Sequence, residues 1–261
     1  MRSSDKKPKL TSYDDIFSTE ESRQQEHIQW TSLRELHPFK NHPFRVLDDD
    51  RMMETVESVK AYGVLVPIIA RPSEDGYEIV SGHRRKRACE LAGLDEIPVI
   101  VRNLDDDEAV IIMVDSNLQR ENILPSERAK AYQMKLEAIK RQTARGRPVG
   151  DNSRQVGENY SVSKVAEDLG ESERQVQRFI RLNQLEQTLM DKVDSGKLAF
   201  TPAVELSYLK PEEQQWLDAA LEETQQTPSL SQAQRMKRES KQGTLSAESM
   251  MEIMRENKQT I

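Results

Sequence analysis

Residues 162–182 read VSKVAEDLGESERQVQRFIRL and predict two short helices joined by a tight turn. The residues that define the pattern stand four, six and three positions apart: Ala166, Gly170, Val176 and Phe179. In a helix-turn-helix, a small residue lets the two helices cross, a glycine makes the turn, and two apolar residues seat the second helix. We therefore interpret this segment as a helix-turn-helix.

The second helix of this segment carries side chains suited to reading DNA. Ser172 is placed to cap its first turn. Arg174, Arg178 and Arg181 follow at i, i+4 and i+7, so they share one side of the helix. Arginine and glutamine match guanine and adenine edges in the major groove, and arginine also binds phosphate. The alternative is a helical hairpin with a solvated basic face. The predicted DNA-binding residues are Lys164, Ser172, Arg174, Gln175, Gln177, Arg178 and Arg181.

The chain upstream of the helix-turn-helix mixes helix and strand signals. Met52–Tyr62 has apolar residues at helical spacing and ends at a glycine, a natural helix terminator. Strand signals follow at Val66–Arg71 and Tyr77–Val80, with a turn between them. A helix that runs to Ala92 and a strand at Ile97–Val101 complete the pattern. The first domain is therefore predicted to be α+β, and the region after it all-α.

These signals divide the chain into four parts. Residues 1–28 are predicted to be a mobile lead-in, 29–124 the α+β domain, 125–223 the helical domain, and 224–261 a polar, poorly ordered tail. Inside the helical domain, residues 143–160 are rich in Gly, Pro, Asn and Ser and indicate a linker or exposed loop. Inside the tail, Ser246–Glu256 is amphipathic and could fold against a partner, although an isolated helix of this length is marginal in water.

The composition excludes several classes of protein. The chain has 261 residues, 36% of them hydrophobic and 32% charged, with a net charge of −7. Its single cysteine, Cys89, excludes an intramolecular disulfide framework and a cysteine-rich zinc site. No apolar run is long enough to cross a membrane, and the first thirty residues are too polar for a signal peptide. We therefore expect a cytoplasmic protein with no membrane partner.

A second segment, Ser81–Arg87, lies between a predicted strand and a predicted helix. Gly82 permits a tight turn, the helix start offers free N–H groups, and the arginines offer forked donors. Together they indicate an anion site, most simply for phosphates, although the segment is neither a Walker motif nor a dinucleotide fingerprint. A basic helix start on the surface is the alternative. A third segment, Asp115–Asn122, could cap a helix, bind a cation or meet a phosphate.

The order of these segments resembles the ParB family of DNA partition proteins, in particular those of Gram-positive plasmids and integrative elements. The resemblance rests on GVLVPI at 63–68, YEIVSGHRRKRA at 77–88, NLQRE at 117–121 and the helix-turn-helix, and it covers roughly residues 33–209. It implies a ParB/sulfiredoxin-like α+β domain followed by a helical DNA-binding domain. It also implies a homodimeric clamp that loads onto a palindromic site on double-stranded DNA, binds CTP and magnesium, works with a ParA-type ATPase, and is associated with the nucleoid or a plasmid.

The resemblance also assigns a nucleotide site. In the family, a Gly-Glu-Arg-Arg loop holds the triphosphate, and a Glu-Asn-x-Gln-Arg segment contacts magnesium and phosphate, so Asn117 is the implied magnesium ligand. Two departures matter, because His83 and Ser116 stand where the family has glutamates and the second of those is tied to hydrolysis. CTP turnover is therefore expected to be slow or absent, with Glu121 the nearest acid that could substitute. The implied CTP-binding residues are Gly63, Ser81, Gly82, His83, Arg84, Arg85, Asn117, Gln119 and Arg120.

Three other functions fit parts of the sequence. Sulfiredoxin chemistry needs a cysteine in the loop, but the only cysteine lies six residues after His83. A ParB-like nuclease would need a metal site, and the acidic run Asp105–Glu108 lacks alternating ligand spacing. A helix-turn-helix transcriptional regulator without clamp activity is the third. The usual C-terminal dimerisation domain of the family is not evident in the sequence.

Overall fold

The computed structural model describes residues 28–120, 122–145 and 154–256. The described chain forms two compact units. The first contains the chain up to His37 and Arg51–Asn103, and the second contains Pro38–Asp50 and the chain from Leu104 onward. The sequence places the end of the first domain at 124, whereas the unit boundary lies at 103–104. The structure differs because the helix that follows this boundary packs on the helices of the second unit.

Among the residues that the structure describes, the first unit consists of a five-stranded mixed sheet and two α-helices, as the α+β prediction requires. The sheet order is β1-β5-β3-β4-β2. The β1 strand pairs antiparallel with β5, and β3 pairs antiparallel with β4, while the β3–β5 and β2–β4 pairs are parallel. The strands are β1 (Ile28–Ser32), β2 (Leu36–His37), β3 (Ile68–Ser73), β4 (Gly76–Ser81) and β5 (Glu96–Val101), and the helices are α1 (Asp50–Tyr62) and α2 (His83–Ala92).

The core of this unit lies between the sheet and its helices. Ile68, Ile79 and Ile97 are fully buried on the strands. The helical spacing that predicts α1 is confirmed, because its buried residues are Met52, Val56 and Val59. On α2, Ala88 and Cys89 are fully buried, and burial raises the pKa of the Cys89 thiol. The cysteine is thus a small core residue in this fold.

The second unit is all-helical and has one continuous core, which runs from Ala129 to Met254. No helix among the residues that the structure describes is long and apolar enough to cross a membrane. The helices are α3 (Asp106–Leu118), α4 (Pro125–Arg145), α5 (Arg154–Leu169), α6 (Glu173–Leu182), α7 (Gln187–Asp194), α8 (Phe200–Leu206), α9 (Pro211–Thr224), α10 (Leu230–Gln242) and α11 (Ala247–Arg255).

The prediction of a poorly ordered tail from residue 224 is wrong. Helices α10 and α11 are part of the core, with Met236 and Met250 fully buried. Both begin at a serine N-cap, Ser229 and Ser246, with a reciprocal capping box. These helices are hard to recognise in the sequence because most of the residues in this region are polar. A narrow apolar face is enough to stabilise such a helix once it packs against the rest of the core. The amphipathic piece Ser246–Glu256, which the sequence indicates could fold against a partner, packs on the core of its own chain.

Two other predicted segments fall partly outside the described residues. The lead-in at 1–28 is described only at Ile28, the first residue of β1. The predicted linker at 143–160 is shorter than expected, because α4 extends to Arg145 and α5 begins at Arg154. Residues 146–153 between these helices lie outside the described chain.

Candidate nucleic-acid interface and anion-binding loop

The helix-turn-helix forms from α5 and α6 as the residue spacing predicts. Gly170 makes the turn with a φ of +65°, a left-handed conformation that favours glycine. The Ser172 hydroxyl accepts a hydrogen bond from the backbone N–H of Gln175 at 3.2 Å, which confirms the predicted cap. Val176 and Phe179 are buried and seat α6 in the core.

Helix α4 fixes the turn between α5 and α6. The Tyr132 hydroxyl donates a 2.8 Å hydrogen bond to Oε1 of Glu171, and its ring meets Phe179 edge-on at 5.4 Å. Burial, and then the hydrogen bond to Glu171, raise the pKa of Tyr132, so the phenol stays protonated and remains a donor. Helix α6 is therefore held by α4 both at the turn that precedes it and at Phe179.

The predicted DNA-binding residues fall into two groups by exposure. Arg174 and Gln177 on α6 are exposed, as are Lys164 on α5 and the cap residue Ser172. Gln175, Arg178 and Arg181 are half-buried. The shared side of α6 is thus open to solvent at its first turn and covered by other helices toward its end.

Neighbouring side chains explain this covering. The Arg178 guanidinium donates to Oγ1 of Thr201 at 2.9 Å and lies 4.9 Å over the Phe200 ring. The Arg181 guanidinium donates to the carbonyl oxygen of Ser207 at 2.6 Å and lies 4.0 Å over the Tyr208 ring. Arg181 therefore joins α6 to the end of α8, a role that the helical spacing alone does not indicate.

A polar concavity of about 420 Å³ opens between α6, α8 and α10. Four of its residues were not predicted, because they come from parts of the sequence without a recognised motif. Their signal in the sequence is weak, although Thr201, Glu205 and Tyr208 stand at i, i+4 and i+7. The lining residues are Ser172, Arg174, Gln175, Arg178, Thr201, Glu205, Leu230 and Gln234.

The predicted anion-binding loop lies in the first unit, at the start of α2. Gly82 is the N-cap with a φ of +111°, and a Cβ there would lie 2.5 Å from Cγ2 of Ile68, so only glycine fits. The cap has no side-chain acceptor for the first-turn N–H groups of α2. A helix N-terminus of this kind attracts anions. His83 is buried, and Ser81 and Arg84 are half-buried.

Arg85 has a different environment from the one its motif predicts. Its guanidinium donates to the carbonyl oxygens of Val66, at 2.6 Å, and Pro67. Burial lowers its pKa from the usual arginine value. Lys86 and Arg87 pair with Glu90 on the same helix, which offsets part of the positive charge. The loop thus presents the N-terminus of α2, without a side-chain cap, and Arg84, while Arg85 is hydrogen-bonded to the two residues that precede β3.

Gly63, another residue of the implied nucleotide site, lies at the end of α1. It has a φ of +71° and lines a cavity of about 610 Å³ together with apolar and charged side chains of the first unit. The other lining residues are Trp30, Val59, Lys60, Val64, Leu94, Asp95 and Glu96.

The second predicted nucleotide segment belongs to the other unit, at the end of α3. Asn117 is buried, and its Nδ2 donates to the carbonyl oxygen of Met113 at 2.8 Å, so Oδ1 is the atom with the chemistry to bind a cation. The Ser116 hydroxyl also donates to Met113 O, at 3.0 Å. Gln119 is exposed, and the Arg120 guanidinium lies 6.0 Å from the Phe44 ring. Glu121 lies outside the described residues.

The acidic run that a nuclease would use forms a helix cap. Asp105 accepts hydrogen bonds from the N–H groups of Asp107 and Glu108, and Glu108 accepts one from Asp105. Asp107 is fully buried and pairs with Arg141 at 2.7 Å. In the described chain, no three His, Cys, Asp or Glu side chains are grouped so that they could hold a metal ion.

Comparison with known proteins finds a matching family model, related sequences and a solved structure of similar fold. Residues 18–118 match the model of the ParB N-terminal domain. The chain is 31% identical over 184 residues to the chromosome-partitioning protein Spo0J of Thermus thermophilus, covering 70% of this chain and 61% of that protein. It is 31% identical over 189 residues to the nucleoid occlusion protein of Listeria monocytogenes, covering 72% and 60%. The chain thus spans about three-fifths of the length of these relatives.

A solved Pnob8-like ParB-N domain is similar in fold. It aligns with a TM-score of 0.51 and 15% identity over 87% of this chain and 97% of that one. At this identity the likeness concerns the fold alone.

Proposed function

The chain belongs to the ParB family, and from this premise we propose that it is a DNA partition protein: a clamp that binds a specific palindromic site and closes with CTP. The proposal includes a homodimer and a ParA-type ATPase as its partner. The cargo is a chromosome, a plasmid or a mobile element, and the protein is associated with that DNA. The relatives that support this proposal are named for chromosome partitioning.

The observation that carries DNA binding is the exposed first turn of α6. Arg174 and Gln177 are exposed there, on a helix that α4 and the core hold in place. A helix-turn-helix inserts the N-terminal part of its second helix into the major groove, where arginine and glutamine read base edges. Lys164 on α5 and the N-cap residue Ser172, both exposed, are assigned to phosphate contacts. Gln175 and Arg178, which line the concavity, complete the proposed contact set.

The nucleotide part of the proposal rests on the α2 N-terminus. Gly82, the first-turn N–H groups and Arg84 would hold the triphosphate, and Ser81 and His83 would shape the loop. We assign Arg85 to positioning this loop, because its guanidinium is engaged with two carbonyl oxygens. Gly63, Asn117, Gln119 and Arg120 are proposed as further nucleotide contacts, with Asn117 Oδ1 as the magnesium ligand. Bound magnesium would neutralise phosphate charge.

The test of DNA binding starts from a random duplex library, from which the protein selects its site. Affinity for the selected duplex and for a scrambled duplex is then measured at one salt concentration. Arg174→Ala should reduce affinity for the selected duplex by about 5- to 150-fold, the equivalent of a lost base contact worth ~1–3 kcal/mol. Arg255→Ala, an exposed arginine on α11, is the matched control and should change nothing. Equal affinity of the intact protein for both duplexes would contradict the proposal.

The test of the clamp uses CTP and magnesium with DNA whose ends are blocked. CTP should increase retention on closed DNA but not on open DNA, and titration calorimetry should record CTP binding that Arg84→Ala removes and Arg34→Ala preserves. Phosphate release should be slow in the intact chain and faster in Ser116→Glu, which supplies the carboxylate that the family resemblance ties to hydrolysis. Site binding without CTP-dependent retention would identify a transcriptional regulator instead. Cleavage of supercoiled DNA would identify a nuclease.

A further inference from the structure

Helix α10 presents a polar stripe with two lysines along one face. Leu230, Gln234, Lys237 and Lys241 stand at intervals of four, three and four residues, which places them in a line along the helix. Arg238 and Lys241 are exposed, and Lys237 is half-buried. A neighbouring face of α10 packs in the core through Ala233 and Met236. The stripe is therefore a surface that the fold holds in a fixed orientation.

This stripe continues the face of the recognition helix. Leu230 and Gln234 line the same concavity as Arg174 and Arg178. Farther along, Lys237 and Arg181 lie over the Tyr208 ring from two helices, at 3.6 Å and 4.0 Å from its centroid. We call the combined surface of α6, α8 and α10 the three-helix face. Its residues are Arg174, Arg178, Arg181, Thr201, Glu205, Tyr208, Leu230, Gln234, Lys237, Arg238 and Lys241.

The charge of the three-helix face is opposite to that of the whole chain. Its arginines and lysines outnumber its one acid, in a protein of net charge −7. That acid, Glu205, is paired with Lys237 at 2.7 Å, with both side chains about three-quarters buried. On α10, the exposed positive charge of this face is therefore carried by Arg238 and Lys241. A local positive surface on an acidic protein attracts polyanions to that surface.

We propose that α10 is a second DNA-contacting element, in which Arg238 and Lys241 bind backbone phosphates of the same duplex that α6 reads. This inference rests on the proposed function. The stripe on α10 adjoins the proposed DNA interface of α6, and its positive charge complements the negative charge of DNA phosphates. These two observations identify the occupant as DNA. A lysine ammonium is a hydrated point charge, suited to phosphate rather than to a base edge. Tyr208, with Lys237 and Arg181 on its ring, is the positioning residue that keeps α8 and α10 aligned with α6.

The test is the salt dependence of DNA affinity. Each phosphate contact contributes about 0.9 to the slope of log affinity against log salt, so Arg238→Gln with Lys241→Gln should flatten the slope by about 1.8 for each bound protomer. Affinity for the selected and the scrambled duplex should decrease by the same factor, because phosphate contacts carry no base information. Lys241→Glu should reduce the affinity for both duplexes further. Thermal unfolding should be unchanged, since both side chains are exposed.

The controls separate failure of this inference from failure of the proposed function. Arg255→Gln removes an exposed arginine from α11, outside the three-helix face, and should leave the slope unchanged. If the intact protein does not prefer the selected duplex, the proposed function fails. If it does but the double variant keeps the intact slope, only the α10 inference fails. An unchanged DNA slope together with lost binding to a polyglutamate probe would assign the surface to an acidic protein partner and overturn the inference.

Discussion

At the scale of single residues, the three arginines on one side of α6 have three different environments. Arg174 is exposed, Arg178 lies over Phe200 and reaches Thr201, and Arg181 is held against the end of α8. Helical spacing correctly places all three on one side. It does not indicate which neighbouring element covers that side, because α8 has no recognisable motif in the sequence.

Arg181→Ala should therefore reduce stability more than Arg174→Ala. The Arg181 guanidinium hydrogen-bonds to Ser207 and lies over Tyr208, and contacts of this kind contribute ~1–3 kcal/mol. Replacing the exposed Arg174 should change the free energy of unfolding by less than ~0.5 kcal/mol. Urea unfolding of the two variants measures the difference. Equal losses would mean that Arg181 is not a structural link.

The candidate site was predictable where chemistry depends on local sequence. The Ser172 cap, the Gly170 turn and the Gly82 N-cap follow from residue type and spacing, and each is found in the structure. The engagement of Arg85 with Val66 and Pro67 was not predictable, because those residues lie eighteen or more positions away and only the strand pairing fixes where their carbonyl groups point.

His42 should make stability depend on pH. Burial, with a smaller contribution from the Arg120 charge, lowers its pKa below 6.5, while Nδ1 donates to the Phe44 carbonyl oxygen at 2.7 Å. Below pH 6.5 the unfolded chain therefore binds the proton more readily than the folded chain, and stability decreases as the pH falls.

Unfolding free energies at pH 7.5 and 5.5, compared between the intact chain and His42→Asn, measure this contribution. The intact chain should lose more stability on acidification than the variant does. A larger loss in the variant would show that the protonated imidazole is favoured in the folded state.

At the scale of elements, one buried lysine joins three helices. Lys135 on α4 is fully buried, and its Nζ lies 2.6 Å from Asp115 on α3 and 3.0 Å from Asp168 on α5. The two carboxylates are partly exposed, so the lysine is the group whose charge needs a partner. The contact fixes the end of α3, which carries Asn117, against the helix-turn-helix.

Replacing both carboxylates should lower the free energy of unfolding far more than replacing both carboxylates together with Lys135. Asp115→Asn with Asp168→Asn leaves a buried ammonium without a counter-charge and should cost ~3–5 kcal/mol. Adding Lys135→Met to that pair should recover most of the loss, since methionine fills similar space without a charge. Denaturant unfolding of the double and triple variants gives the comparison, and no recovery in the triple variant would contradict the account.

Helices and strands with a regular spacing of apolar residues could be predicted from the sequence, and those without it could not. Helix α1 and strands β3, β4 and β5 have clear periodicity, and the structure differs from the predicted ends by a few residues. Helices α10 and α11 were missed because short apolar faces on polar helices resemble disordered sequence until the surface they pack against is known.

At the scale of the whole molecule, the helical unit depends on its last two helices. Its core is continuous from α4 to α11, and Met236, Met250 and Ile253 are fully buried within it. A domain is stable by only ~5–15 kcal/mol, and each large apolar residue lost from a core costs ~2–5 kcal/mol. The region predicted from sequence to be a tail is therefore required for folding.

A chain that ends after Pro228 should accordingly lose cooperative unfolding of the helical unit. Near-ultraviolet circular dichroism and limited proteolysis measure this loss. In the full chain, Met236→Asp should have a similar effect, whereas Gln242→Asp on the exposed end of α10 should not. A truncated chain that unfolds like the intact one would restore the view of this region as a tail.

The buried Cys89 also determines how motion of this protein can be followed. The thiol is the only one in the chain, and burial both shields it and raises its pKa, so little reactive thiolate is present at neutral pH. A cysteine introduced at any exposed position would then be the one site that maleimide dyes or bifunctional crosslinkers modify. Fluorescent labelling and crosslinking therefore require no cysteine-free background, and the native core stays intact throughout such measurements.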